Sequence, residues 1–155
     1  SRYYEPLMII ACSYTHSRQA AEDLVQNAFL KAILSYKPSG SFLSWANRVI
    51  RNDFLNSIRA EKYRADNEPE MMDLADCYDI LESLIHNEKK ARLAAMIASL
   101  PLRQRTIMIE SVYLELDDAQ IAKAHAMTEA NIRQIRSRAK KALIKMMENE
   151  EDANE

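Results

Sequence analysis

Apolar side chains recur every three or four positions along most of the chain, the spacing of a helix that buries one face. The clearest such stripe lies near the C-terminus and consists of Ile132, Ile135, Ala139, Leu143 and Met146. One glycine, four prolines and an abundance of alanine, leucine, glutamate and lysine favour helices over strands. The sequence therefore predicts an all-α fold.

Three helices are predicted before position 65. They span positions 3–14, 17–35 and 42–64. Ser17 is placed to cap the second helix through its side-chain oxygen. The first helix presents Leu7, Ile10 and Ala11 on one side, where they can pack against the others. Positions 36–41, rich in proline, serine and glycine, form the clearest loop of the chain.

Helical periodicity weakens after position 64 and then resumes. The weak stretch contains a proline and several carboxylates, which is typical of a linker. Four further helices are predicted, the first two over positions 78–99 and 102–114. A tight turn joins the last two, which are capped by Asp117 or Asp118 and by Thr128. We predict two small helical domains at 1–64 and 78–147, an acidic linker at 65–77 between them, and an acidic tail at 148–155.

A net charge of −2 hides an uneven distribution of charge. Basic residues dominate between positions 31 and 64, and every charge from Asp66 to Glu82 is acidic. The last predicted helix is basic again. Since the placement of charge, more than its sum, marks a nucleic-acid-binding surface, the two basic blocks suggest two units that face nucleic acid.

Each basic block also has a plainer interpretation. A capped helix, a turn and a cationic helix after position 116 suit a helix-turn-helix in a major groove, but an antiparallel helix pair with a solvated basic face would look the same. On the third helix, Trp45, Arg48, Asn52 and Arg59 recur on one face. An exposed indole there could stack on unpaired bases while the cations hold phosphates. The alternative is a buried Trp45 with solvated arginines.

The sequence shows none of the motifs that indicate an enzyme. It contains no glycine-rich phosphate loop, nucleophile elbow or His/Glu zinc pair. Cys12 and Cys77 are too few for a disulfide framework and suit buried positions in a reducing compartment. No apolar run approaches the roughly 20 residues that span a bilayer, and no signal peptide is apparent. We expect a cytoplasmic, non-enzymatic protein with no metal, no cofactor and no membrane insertion of its own.

Three stretches of the sequence resemble the sigma-70 family of bacterial transcription initiation factors, in particular its small extracytoplasmic-function (ECF) group. AAEDLVQNAFLKAILSY at 20–36 and FLSWANRVIRNDFLNSIR at 42–59 resemble region 2, an AEDLVQ-type helix, a loop and then F-x-x-W-x-x-x-I-x-x-N. SLPLRQRTIMIESVYLELDDAQIAKAHAMTEANIRQIRSRAKKAL at 99–143 resembles region 4. The resemblance covers most of the chain outside the acidic linker, in the order and spacing of the family.

The resemblance implies roles that periodicity alone does not. Region 2 of the family docks on a coiled coil of the polymerase β′ subunit, which implies binding to core polymerase by Glu22, Asp23, Gln26, Asn27 and Phe29. Reading of the opened −10 element would fall to Tyr36, Lys37, Trp45, Arg48, Asn52 and Arg59. Reading of the duplex −35 element would fall to Thr128, Asn131, Arg133, Gln134, Arg136, Ser137, Arg138 and Lys141.

The helix-turn-helix departs from the family pattern at its turn and before it. Ala126 stands where the turn often holds glycine, so the backbone must avoid or tolerate a positive φ there. Gln120 replaces the usual glutamate before Ile121 and Ala122. These changes bear on which −35 sequence is read and leave the expected fold unchanged.

The function implied is that of an ECF-type sigma factor, a subunit without enzymatic activity that binds core RNA polymerase and directs it to promoter DNA. Sigma factors of this size are usually held inactive by an anti-sigma protein, which is therefore an expected partner. Two alternatives stay open. A sigma-like decoy would sequester an anti-sigma protein without binding promoters, and a stand-alone helix-turn-helix regulator would leave the AEDLVQ-like helix unexplained.

Overall fold

A computed structural model describes residues 2–38, 40–64 and 74–154. Within these ranges the protein is all-α, as predicted, with eight α-helices and no strand. The helices are α1 (Tyr4–Thr15), α2 (Arg18–Ser35), α3 (Phe42–Arg64), α4 (Leu74–Ile85), α5 (Glu88–Ser99), α6 (Leu102–Met108), α7 (Asp118–His125) and α8 (Glu129–Asn154). A π-helical turn, Ile109–Tyr113, directly follows α6.

The helices form two compact units, Ser1–Ala95 and Met96–Glu155, so the boundary differs from the one predicted. The sequence suggested one helix over 78–99 that belongs to the C-terminal domain. The structure instead ends α4 before His86, whose φ is +56°, and packs α4 against α1. The apolar stripe of α4, with Cys77 and Leu81 buried, is covered by this packing. Of the predicted linker, 65–73 lies outside the described residues, and 74–77 already belongs to α4.

The N-terminal unit is organised around α1, which contacts α2, α3 and α4. Its buried residues are Leu7, Met8, Ile10, Ala11, Cys12, Ser13 and Tyr14. A helix buried along most of its length is stable only when other helices surround it, as α2, α3 and α4 surround α1. The Ser13 hydroxyl donates to the carbonyl of Ile9 at 2.7 Å, so this buried polar group is satisfied.

Short-range hydrogen bonds fix the turn between α1 and α2. His16 ends α1 in the left-handed region, with its N–H 2.8 Å from the carbonyl oxygen of Cys12. The Ser17 hydroxyl then accepts the N–H of Ala20 at 3.2 Å, which confirms the predicted cap. Cys12 and Cys77 are both buried, as expected. Burial raises the pKa of the Cys12 thiol to about 11, so the group stays protonated at neutral pH.

The C-terminal unit has a core made from the helix-turn-helix and the helix before it. Buried residues of this core are Ile107, Ile121, Ala122, Ile132 and Ile135, with Leu116 and Met127 packed against them. Both α6 and α7 contact α8, so α8 is held from two sides. The predicted stripe on the last helix is confirmed, since Ile132, Ile135, Ala139 and Leu143 are buried and Met146 is half-buried.

A helix was predicted over 102–114, and the structure ends its α-helical part at Met108. The chain then widens into the π-helical turn, in which the N–H of Leu114 bonds the carbonyl of Ile109 at 3.3 Å. Glu110 is buried in this turn, and its Oε2 lies 2.5 Å from Nε2 of His125. The pair links the π-helical turn to the last turn of α7.

Candidate nucleic-acid interfaces

Two reciprocal hydrogen bonds start the helix-turn-helix. The Asp117 carboxylate accepts the N–H of Gln120 at 2.8 Å, and the Gln120 side-chain oxygen accepts the N–H of Asp117 at 2.9 Å. This is a capping box, which satisfies two donors that have no partner inside the helix. Gln120, which departs from the family pattern, therefore completes the capping box as a glutamate would. Since Asp117 is the cap, the carboxylate of Asp118 is left for another partner.

The turn between α7 and α8 tolerates a left-handed alanine. Ala126 has φ 52° and ψ 46°, and the next N–H, that of Met127, bonds the carbonyl of Ala122 at 2.9 Å. For a residue with a Cβ this conformation costs roughly 1–2 kcal/mol. The expected strain is thus present, and the buried contacts of Met127 on the unit's core offset it. Thr128 caps α8 as predicted, its hydroxyl accepting the N–H of Asn131 at 3.1 Å.

The outward face of α8 carries most of the residues predicted to read a duplex. Asn131, Arg133, Gln134, Ser137, Arg138 and Lys141 are all exposed, opposite the buried stripe. Arg133 lies 3.9 Å from Glu129 one turn earlier, a loose pair at the surface. The helix therefore presents cations and hydrogen-bonding side chains together, as a helix in a major groove requires.

Arg136 is the exception on this helix, because it does not face solvent freely. Its Nη2 donates to Oδ2 of Asp118 at 2.9 Å, and its Nη1 donates to Oδ1 of the same carboxylate. The side chains of Arg136 and Asp118 are only 23% and 21% exposed. The guanidinium lowers the pKa of Asp118, chiefly through this hydrogen bond, and the carboxylate raises the pKa of Arg136. The sequence groups Arg136 with the solvent-facing residues of this helix, whereas the structure shows it half-buried and paired. Its assignment to the −35 element stays a prediction.

On the other candidate interface, Trp45 of α3 is half-buried among aromatic rings. The aromatic cluster consists of Tyr3, Phe29, Tyr36, Phe42 and Trp45. The indole centroid lies 5.1 Å from the ring of Tyr36 and 5.9 Å from that of Phe42. These distances fit favourable aromatic pairs. Trp45 is thus neither fully buried nor fully exposed.

The polar residues that accompany Trp45 are exposed. Lys37, Arg48, Asn52 and Arg59 all face solvent. The Ser41 hydroxyl accepts a hydrogen bond from the N–H of Ser44 at 3.3 Å and so caps the N-terminus of α3. The cap fixes the residue at which α3, and with it the exposed face, begins. A half-buried indole and exposed cations in and beside the same helix are the groups that binding of unpaired bases requires.

The predicted core-binding residues of α2 divide into two groups. Asp23 and Gln26 are exposed, and Glu22 is half-buried. Asn27 instead donates to Asp53 of α3 at 2.7 Å, and the ring of Phe29 lies 6.2 Å from that of Phe42. These two side chains are half-buried and contact α3, so they contribute to the packing of α2 on α3.

Sequence reasoning missed an apolar patch on α2 beyond Gln26. Leu30, Ile33 and Leu34 are 54%, 82% and 76% exposed. All three lie off the buried positions Ala21, Val25 and Ala28. Large hydrophobic residues outside the buried stripe of a predicted helix were the signal that could have revealed this patch.

Neither a metal site nor a membrane span is found in the part of the chain that the structure describes. No group of three or more His, Cys, Asp and Glu side chains is placed to hold an ion there. Among the same residues, no helix is both long and apolar enough to cross a membrane.

Comparison with known families covers both units. The family model for sigma-70 region 2 matches residues 1–64, and that for sigma-70 region 4 matches residues 90–143. The chain belongs to the sigma-70 family. No curated protein matches it.

As a sigma factor, the protein directs transcription initiation by RNA polymerase at promoter DNA. Region 2 contains α1, α2 and α3, and region 4 begins inside α5 and continues into α8. The helix α4 lies outside both matched segments, although it packs on α1 of region 2. The sigma-70 resemblance drawn from the sequence motifs is thereby confirmed.

Proposed function

We propose that this sigma factor is of the ECF type, and that it uses three separate surfaces to bind core polymerase, the −10 element and the −35 element. The observation that carries the proposal is the fully capped helix-turn-helix of region 4, with an exposed cationic face on α8. Exposed residues on two faces of region 2 support the other two surfaces.

The −35 reader is the outer face of α8. Its base-edge or phosphate contacts are made by Asn131, Arg133, Gln134, Ser137, Arg138 and Lys141, with Thr128 at the N-terminus of the helix. Arginine can bond guanine with two donors, and asparagine or glutamine can bond adenine in the same way, so this set can distinguish base pairs. Lysine and the remaining arginine suit phosphate contacts that fix the register.

The −10 reader is the exposed edge of the aromatic cluster together with the cations of α3. Bases that leave the duplex stack on Trp45 and Tyr36, while Lys37, Arg48 and Arg59 hold the displaced backbone. Asn52 supplies hydrogen bonds to a base edge. The packing of Trp45 on Tyr36 and Phe42 holds the stacking surface in place before DNA arrives.

The core-polymerase surface is the outer face of α2. It combines Asp23 and Gln26 with the exposed apolar patch of Leu30, Ile33 and Leu34. Apolar side chains flanked by polar ones are typical of protein interfaces, since the apolar centre supplies binding energy and the rim supplies orientation. Asn27 and Phe29 act indirectly, by holding α2 on α3.

Binding to fluorescently labelled core polymerase tests this surface. We expect Ile33→Glu to weaken binding by about 2 kcal/mol or more, the loss typical of a central interface residue. Leu93→Glu is the matched control, because Leu93 is an exposed leucine of α5 and the change in charge is the same. Equal losses for the two variants, or no loss for Ile33→Glu, would remove α2 from the core-binding role.

An anti-sigma protein as a partner, and action in the cytoplasm, belong to the same proposal. The decoy alternative predicts binding to such a protein, or to core polymerase, without promoter opening. The free cations on both DNA-facing surfaces favour the promoter reader, because a decoy has no need of them. A chain that binds core polymerase but neither binds nor opens promoter DNA would favour the decoy.

A further inference from the structure

The ion pair between Asp118 and Arg136 joins the two helices of the helix-turn-helix. Asp118 is the first residue of α7, and Arg136 lies about two turns into α8. Each carboxylate oxygen accepts a hydrogen bond from one terminal nitrogen of the guanidinium, Oδ1 from Nη1 and Oδ2 from Nη2, and this paired geometry restricts rotation of either side chain. The pair is half-buried, so water screens it less than the exposed pair of Arg133 and Glu129.

Neither the cap of α7 nor the buried stripe of α8 explains this contact. The cap of α7 is Asp117, which already bonds Gln120, so Asp118 is not needed to start the helix. The buried stripe of α8 lies on Ile132, Ile135 and Ala139, so Arg136 does not belong to the apolar core.

The charged groups that face Asp118 are all on α8. Arg136 is the first of them, and Arg133 and Lys140 act on the carboxylate from a greater distance. Asp118 therefore sits beneath the cationic face, within reach of three cations of the −35 reader. An acidic residue in that place opposes DNA binding by its charge alone, which makes its presence informative.

We propose that Asp118 and Arg136 are a positioning pair, which fixes the angle at which α8 enters the major groove without either residue contacting DNA. This rests on the proposed −35 reading by α8. The guanidinium directs its two terminal nitrogens at the carboxylate, so a base contact by Arg136 would first have to break a bidentate bond. A fixed angle of α8 increases the sequence specificity of DNA binding, because base contacts along a recognition helix depend on the position of the helix to within a fraction of an ångström.

The competing possibility is that Arg136 leaves Asp118 and binds a phosphate. The two possibilities differ in what removal of Asp118 does. If Arg136 contacts DNA, loss of the carboxylate frees the cation and tightens binding. If the pair positions α8, loss of the carboxylate weakens specific binding, although it removes a negative charge close to the DNA.

A double-mutant cycle on the reconstituted holoenzyme separates them. The variants are Asp118→Asn, Arg136→Gln and the two together, and the probe is a DNA duplex carrying the −35 sequence that the wild-type holoenzyme selects. Each is also measured on a scrambled duplex and over a range of salt concentration. Glu115→Gln is the matched control, since it removes an exposed carboxylate three residues from Asp118 outside the pair.

We expect each single variant to lose about tenfold in specific affinity, and the double variant to lose no more than either one, because both break the same pair. The salt slope should stay unchanged, and Glu115→Gln should bind specifically as well as wild type. Arg136→Lys should also lose specific affinity, because a lysine keeps the charge but not the paired geometry.

Other results overturn the proposal. Tighter specific binding by Asp118→Asn, together with a salt slope that falls by about one in Arg136→Gln, would identify a direct phosphate contact. Additive losses in the double variant would show that the residues act independently. Retained affinity in Arg136→Lys would mean that charge alone matters. If the wild-type holoenzyme shows no preference between the two duplexes, the proposed −35 reading itself is wrong, and the positioning role goes with it.

Discussion

In the C-terminal unit, the residues that pack and the residues proposed to bind DNA occupy opposite faces of α8. In the N-terminal unit the two functions overlap, because Trp45 belongs both to the aromatic cluster and to the proposed −10 reader. The overlap has a physical basis, since a stacking surface for flipped bases must be held rigid, while hydrogen-bonding side chains in a groove need only a rigid backbone. Changes at exposed residues on the outward face of α8 should therefore affect binding alone, and changes at Trp45 should affect binding and stability together.

The largest effect is expected at the centre of the N-terminal unit. Leu7→Ala should reduce the free energy of unfolding by about 2–5 kcal/mol, because the leucine is fully buried in α1 and its removal leaves a cavity. Trp45 is the only tryptophan, so its fluorescence during urea unfolding reports on this unit alone. Leu93→Ala, at a residue that is 40% exposed, serves as the control. A loss below about 1 kcal/mol at Leu7 would mean that α1 is not the centre of the core.

Substitution of Trp45 tests the overlap directly. Trp45→Ala should make the free energy of promoter opening less favourable by about 1–3 kcal/mol, the contribution of one base stacked on an aromatic ring. It should also lower the free energy of unfolding, because the contacts with Tyr36 and Phe42 are lost. Permanganate reactivity of unpaired thymines measures opening, and circular dichroism measures stability. Trp45→Phe keeps an aromatic ring and should recover part of both. A variant that loses stability but opens promoters normally would place Trp45 in the core alone.

Arg133→Ala should show the opposite pattern. We expect specific −35 binding to weaken by about 1–3 kcal/mol, with the free energy of unfolding changed by less than about 0.5 kcal/mol. The arginine is exposed and its pair with Glu129 is loose, so little stability depends on it. Anisotropy of a labelled duplex measures the first quantity. Unchanged binding would remove Arg133 from the reader.

A smaller effect is expected at the turn of the helix-turn-helix. Ala126→Gly should raise the stability of the C-terminal unit by about 1 kcal/mol, because glycine adopts the left-handed conformation without strain. Its counterpart in the N-terminal unit is Gly40, with φ 87°. Gly40→Ala should cost a similar amount, although a Cβ there meets no atom within 4 Å. Thermal unfolding of both variants measures the two effects, and the same sign for both would contradict the strain argument.

The smallest effect is the pH dependence that Asp118 confers on the C-terminal unit. Because Arg136 lowers the pKa of Asp118 in the folded state, the ion pair stabilises above the ordinary carboxyl range and is lost as pH falls through the lowered pKa. We expect Asp118→Asn to be less stable than wild type at pH 7 by about 1 kcal/mol or less, and equally stable once Asp118 is protonated in both states. If Asp118→Asn remains less stable than wild type at low pH, the loss comes from altered packing or hydrogen bonding and not from the lost charge.

The sequence predicted most accurately those structural features that residues close together in the chain determine. Residues a few positions apart determine the caps at Ser17 and Thr128 and the buried stripe on α8. They also determine the motifs by which the two sigma-70 regions were identified. The sequence did not reveal contacts between residues that are far apart in the chain. Asn27 pairs with Asp53, 26 positions away, and Arg136 pairs with Asp118, 18 positions away. Both were assigned to binding surfaces, because a polar residue off the apolar stripe looks exposed until the facing helix is known.

The place of α4 was missed for the same reason. Its apolar face fits α1, but no local pattern tells which neighbour a helix will choose. The exposed patch on α2 could have been found, since Leu30, Ile33 and Leu34 fall outside the stripe that packs. Residues 65–73 lie outside the described residues, so the linker prediction there stays a prediction.

We propose above that this chain converts core polymerase into a promoter-specific enzyme with two separate DNA readers. Run-off transcription from a library of linear templates with randomised upstream sequence tests it most directly. We predict that transcripts appear only when the chain is added to core polymerase, and that their templates share two separated sequence elements. In the presence of Arg133→Ala, selection of the upstream element should weaken while the downstream one persists. Transcripts without any shared element, or none above core polymerase alone, would contradict the account.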